Sequence, residues 1–207
     1  MDAKKQHLVK VDLDSLRPTQ MTVGYAEVQA KKMTWQHLKH KERKDFLADH
    51  WFPSVLGPNA HHYIIDHHHL GMALLEEEVE HTHLIVLKDF SQLDVDEFWL
   101  VMEHHQWLHP YDAQGKRREL SDIPKKIVQL DDDPYRSLAG AARRAGAYVK
   151  DATPFAEFLW ADFFRRRVNI TLVKDEPEVA LQKALTLAHS PSAAHLPGWS
   201  EHNDSEL

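Results

Sequence analysis

Five of the nine residues from 61 to 69 are histidine, in the run His61-His62-Tyr63-Ile64-Ile65-Asp66-His67-His68-His69. The residue types allow two chemistries. Asp66 with one or two imidazoles can ligate a divalent cation such as Mg²⁺ or Mn²⁺, and His68 can act as a general acid or base, with Asp66 orienting it. Successive residues on a helix fan out by about 100°, so His67, His68 and His69 cannot all converge on one ion. The plain alternative is that Asp66 caps a helix and the histidines face solvent.

The elements that must position this run are marked by the pattern around it. Tyr63-Ile64-Ile65 reads as a strand, and residues 67–79 as a helix carrying Leu70, Ala73 and Leu74 on one face. A strand-to-helix turn presents backbone N–H groups at an open edge, where anions bind. Val9-Lys10-Val11-Asp12-Leu13 alternates as a strand, 24–38 and 41–51 read as helices, and Leu84–Leu87 is a buried strand. Two prolines and a glycine between 53 and 59 predict a loop.

Beyond residue 94 the chain reads as helical. Asp94 and Asp133 are N-caps, Pro134 takes the first helical position, and helices are expected over 155–168 and 175–189. The polar tail 191–207 is expected to be loosely held.

The chain has 207 residues, 28% charged and 43% hydrophobic, with no cysteine. That length suits one good core or two small ones. Disulfides, thiolate metal sites and cysteine nucleophiles are excluded. A formal charge of −7 disfavours general nucleic-acid binding, and neither a P-loop nor a dinucleotide fingerprint occurs. No stretch approaches the roughly 20 apolar residues of a membrane span, and the polar start is unlike a signal peptide. The expected location is the cytoplasm.

Two segments carry a resemblance to a known family. Val11-Asp12-Leu13-Asp14-Ser15-Leu16-Arg17-Pro18-Thr19-Gln20 resembles the opening strand and Arg-Pro turn of the ParB/sulfiredoxin superfamily. Tyr63 to Ala73 is similar to its hallmark, a strand ending in Asp-Gly-His-His/Arg-Arg and then a helix. Asp133 to Ala139 and Phe155 to Asp162 fit the group of ParB-like nucleases, which carry a helical C-terminal extension. The implied fold is α+β: a ParB/sulfiredoxin-like domain with a small mixed sheet over 1–92, then a helical portion over 93–190.

The resemblance implies a phosphate site at the Asp66–His69 turn. His67 stands where the family has glycine and His69 where it has a phosphate-holding arginine. Arg17, Gln20 and Thr22 would wall the site, and Arg136 could restore the cation that His69 replaces. Some relatives use a carboxylate after the first strand as base, which points to Glu27. Sulfiredoxin chemistry needs a cysteine at the turn and is excluded.

The implied function is a nuclease or a nucleotide-dependent hydrolase or kinase. A non-catalytic nucleotide or metabolite sensor is the alternative, and a DNA-partition adaptor the least supported, since no helix-turn-helix is evident.

Five other groups have simpler readings. His62 and His61 fall on opposite faces of a strand, and His81 and His83 on one face of the next. His105 and His109 sit at a packing corner with Trp107. Asp131-Asp132-Asp133 suits a helix start better than a Mg²⁺ site, and Arg165-Arg166-Arg167 suits a helix end.

Overall fold

The computed structural model describes residues 7–200. The chain forms two compact units: residues up to 23 with 28–131, and 24–27 with the chain from 132 onward.

The first unit is built on a four-stranded mixed sheet in the order β1-β5-β3-β4. Its strands are β1 (Val9–Asp12), β3 (Phe52–Leu56), β4 (His62–Ile64) and β5 (His81–Asp89). β1 and β4 run antiparallel to their neighbours, whereas β3 and β5 are parallel. The two-residue strands β2 (Thr22–Val23) and β6 (Asp131–Asp132) make a separate ladder, in which Asp131 N–H donates to the Met21 carbonyl at 3.0 Å.

Helices α1 (Tyr25–His37), α2 (His40–Asp49), α3 (His68–Glu76) and α4 (Val95–His104) are interspersed among the strands. Neighbouring residues on a strand face opposite ways, and the sheet uses both faces. Ile64 and Phe52 pack with Leu70, Ala73 and Leu74 of α3. Tyr63 and Val55 pack with Phe98 and Met102 of α4. Asp94 caps α4 through a reciprocal pair with Glu97.

The loop expected over 53–59 is instead largely strand β3, an inner member of the sheet. Pro53 is tolerated because its register partner across β4 is the residue beyond that strand's end. The Ile65 N–H still donates to the Pro53 carbonyl at 3.0 Å, so the ladder loses one donor at its edge and none inside.

The boundary expected near residue 92 falls after 131. Apolar Phe98 and Met102 cover one sheet face, and Ile127 and Leu130 join the core on the other. Residues 93–131 therefore complete the first unit rather than begin a second.

The second unit consists of α5 (Pro134–Arg144), α6 (Ala156–Arg165), α7 (Ile170–Asp175) and α8 (Pro177–Ala188), with residues 24–27. α5 packs on the other three. Ala139, Ala142, Ala180, Ala184 and Ala188 are fully buried, and their small side chains let the helices approach closely. The tail is not loose as far as it is described. Leu196 is buried, Trp160 Nε1 donates to the Pro197 carbonyl at 2.9 Å, and Val149 N–H donates to the Gly198 carbonyl. The expectation for 201–207 lies outside the described residues. No helix of the described residues is long and apolar enough to cross a membrane.

Candidate active site

The turn after β1 docks against β4 through its own backbone. Arg17 N–H donates to the His62 carbonyl, and Ile64 N–H to the Arg17 carbonyl, both at 2.9 Å. Thr19 finishes the join, its hydroxyl donating to the Ile64 carbonyl at 2.9 Å. The approach of this segment to the 66–69 turn, implied by the family resemblance, is present.

His68 makes the last link, and it is not an open base. It is 4% exposed, and its Nε2 accepts the Thr19 N–H at 3.2 Å. That bond requires a lone pair on Nε2, which fixes the tautomer and occupies the atom a base would use. His68 is a strut between α3 and the Arg17–Gln20 segment. Gln20 and Thr22 are also buried, with Gln20 Nε2 donating to the Thr22 carbonyl at 2.7 Å. They shape the turn rather than face a ligand.

Asp66 is exposed and accepts the adjoining His67 N–H at 2.6 Å. The helix cap is His67, in the left-handed region at φ 66°. This is the position where the family's glycine would sit without strain, and His67 holds it with its ring edge against Phe52. His69 is half-buried on the first turn of α3.

His68 spends Nε2 on Thr19, Asp66 is exposed, and among the described residues no three histidine or acidic side chains converge as a ligand set.

What the structure does bring together is Arg17 and His61, with Nη2 2.7 Å from Nε2. Arg17 also lies 5.8 Å from the Tyr63 ring. Arg17, Asn59, Tyr63, Trp99 and Lys125 are among the residues lining a cleft of about 310 Å³. The Lys125 and Trp99 contributions had no local signal in the sequence. They arrive because α4 and the 120–125 segment fold back onto the β4 face.

His61, His62 and His67 all titrate below the ordinary histidine value of 6.5. Burial is the main cause in each; Arg17 adds to it at His61, and at His67 Asp66 opposes it while Lys31 and His50 reinforce it. The unfolded chain binds these protons near pH 6.5 and the folded chain only at lower pH, so stability falls as pH drops below about 6.5. The urea midpoint is expected to be lower at pH 5.5 than at 7.5, and a His62→Gln/His67→Asn variant should show a smaller drop. An equal drop in the variant would rule out these histidines as the source.

Glu27 and Arg136, expected at the same turn, belong to the second unit. The Glu27 carboxylate pairs with Arg144 Nη1 at 2.6 Å and lies on Gly140, where a Cβ would come within 2.8 Å of Oε1. Arg136 is buried with its guanidinium 3.5 Å from the Phe158 ring centre. The acidic triplet supplies caps: Asp132 accepts the Tyr25 N–H, and Asp133 the Tyr135 N–H. Arg165 is held by Asp133 and Asp162. His105 stacks on Trp107.

A family model described as "Putative ParB-like nuclease" matches residues 9–166. The crystal structure of protein Atu1540 from Agrobacterium tumefaciens is similar at 49% identity, covering 94% of this chain and 97% of that one with a TM-score of 0.90. No functionally curated protein matches the sequence. The docked Arg-Pro turn, the β4-to-α3 turn and a family match over most of the chain lead to one conclusion: this protein belongs to the ParB-like nuclease family.

Proposed function

We propose that the protein hydrolyses a phosphodiester or nucleotide in the cleft beside Arg17. The observation that carries this reading is the 2.7 Å contact between Arg17 Nη2 and His61 Nε2. A guanidinium has five donors, and one suffices for His61, so the rest of the fork can take phosphate oxygens. Lys125, which also lines the cleft, adds a second positive charge.

His61 is the base. Its Nε2 accepts from Arg17 and therefore carries a lone pair, and its lowered pKa keeps it neutral at pH 7. His61 adjoins the cleft through Arg17 rather than lining it; when phosphate draws the guanidinium over, Nε2 is released at the Arg17 edge of the cleft. A water gives its proton to Nε2 while its oxygen bonds to phosphorus. The bond to the leaving oxygen breaks, and that oxygen takes a proton from solvent. The 66–69 turn acts from behind: His68 holds Thr19, and Thr19 holds the segment that presents Arg17. No step is routed through a metal, and Mg²⁺ and Mn²⁺ enter as assay variables.

One observation favours a second reading. No carboxylate is among the residues lining the cleft, which suits a nucleotide sensor that binds without turnover. The net charge of −7 leaves the partition adaptor with least support.

The test is turnover of bis(p-nitrophenyl) phosphate and of single- and double-stranded oligonucleotides, in EDTA and with each metal. Arg17→Ala and His61→Gln are expected to lower kcat/KM by about 10²-fold or more, with His61→Gln sparing phosphate affinity. Undiminished turnover in both variants refutes the assignment. Nucleotide-induced thermal stabilisation without product selects the sensor, and salt-sensitive duplex binding without product selects the adaptor.

A further inference from the structure

The cleft beside Arg17 does not end at Trp99. Val95, Trp99, Leu120 and Ser121 also line a second groove of about 530 Å³, so the two are continuous along one side of the first unit. Trp99 is half-buried and meets Tyr63 edge-on at 5.4 Å. Beyond it the floor is apolar and open to solvent, with Leu100 67% and Val95 52% exposed. Single exposed apolar residues are ordinary, but a row of them beside an aromatic ring in a concave surface marks a ligand groove.

The charge reverses along this path. Arg17 and Lys125 stand at one end, and Asp96, Glu97 and Glu103 rim the other. Glu103 is paired with Arg117 at 2.6 Å, so a strand running through would carry its later phosphates toward the remaining carboxylates, Asp96 and Glu97. A molecule with one anionic end and a flat, uncharged body meets no such conflict.

We propose that the joined groove is a subsite for one nucleoside monophosphate, its phosphate at Arg17 and Lys125 and its base against Trp99 and Leu100. The inference rests on the reading of Arg17 as a phosphate ligand and adds the placement of the nucleoside attached to it. Stacking on an aromatic side chain is insensitive to base identity, since every base offers a π-face. The acidic rim sets the length limit, admitting one nucleotide and repelling the next phosphate.

Calorimetric titration of the full chain with adenosine 5′-monophosphate, inorganic phosphate and a 5′-phosphorylated tetra-deoxyadenylate tests it at low salt. Trp99→Ala is expected to weaken the monophosphate roughly 5- to 150-fold, the range for one lost base stack, and to leave inorganic phosphate unchanged. Because Trp99 also touches Phe98 of the core, Leu100→Asp serves as the second variant. It should weaken the monophosphate with no change in Tm. The tetranucleotide is expected to bind no tighter than the monophosphate. Failure of the monophosphate to bind, equal affinity in both variants, or a tetranucleotide that binds tighter would each overturn the proposal. Trp99-dependent binding with no phosphodiester turnover removes the hydrolase reading and leaves the subsite standing. Turnover with Trp99-independent binding does the reverse.

Discussion

Replacing Asp133 by alanine is expected to destabilise the second unit by about 3–5 kcal/mol, the cost of breaking a buried ion pair from one side. The carboxylate is 1% exposed and does two jobs. Its Oδ1 accepts the Tyr135 N–H at 3.0 Å, which caps α5. Its two oxygens take Arg165 as a fork, Nη1 to Oδ1 at 3.0 Å and Nη2 to Oδ2 at 2.8 Å. The cap alone accounts for about 1 kcal/mol. The larger part is the guanidinium left behind: Arg165 is only 15% exposed in its side chain, and Asp162 at 3.2 Å is a longer and more exposed pairing. Asp133→Asn retains the cap and loses the charge, so it should fall between. Adding Arg165→Met to Asp133→Ala should restore a large part of the loss, because it removes the stranded charge. Urea denaturation of the four proteins checks this. A loss under about 1 kcal/mol in Asp133→Ala, or no recovery in the double variant, would show that solvent reaches Arg165 well enough to replace its partner.

Trp160→Ala is expected to cost a similar amount, about 3–5 kcal/mol by the usual cost of emptying a buried aromatic site. Trp160 is fully buried, stacked on Tyr148 at 4.2 Å with the rings 8° from parallel, and flanked by Phe163 and Phe164. Its effect reaches further than the cavity, since Nε1 donates to the Pro197 carbonyl and so ties down the segment after α8. Trp160→Phe separates the two contributions. It retains most of the ring packing and loses the donor, so it should be milder in Tm while still exposing the 190s to limited proteolysis. If Trp160→Phe left that segment as resistant as wild type, Leu196 and Ala193 would be holding it unaided.

The parts of the fold that were legible in the sequence are those fixed by neighbours in sequence. Alternation marked β1, the apolar run 84–87 marked β5, and Asp94 and Asp133 announced their helices because a cap acts on the next three residues. Pro53 misled because its tolerance depends on where β4 stops. The 92 boundary misled because the apolar stripe of α4 does not say which sheet face it will cover. α7 was missed: its six residues are too short for a periodic signal. At the site, the Arg17 turn and the 66–69 turn were correctly paired through the family resemblance. The contacts within them were not legible, since His68 meets Thr19 across 49 residues and His61 meets Arg17 across 44. A histidine in a histidine-rich run looks solvent-facing until such a partner is known. Glu27 and Arg136 were drawn toward the turn by analogy, whereas Glu27 pairs with Arg144 and Arg136 is buried on the Phe158 ring, both within the helical unit.

The assignment of residues 24–27 to the helical unit also sets an order of events during synthesis. Tyr25 N–H has its acceptor on Asp132, Ala26 N–H on Ser137, and Glu27 its cation on Arg144. These partners lie 107, 111 and 117 residues further along the chain, and so are translated that much later. A nascent chain that has released residues 28–131 holds every strand and helix of the first unit except the opening turn of α1. That turn lacks these partners until α5 emerges, so its closure reports on the arrival of α5 rather than on completion of the unit in which α1 mostly lies.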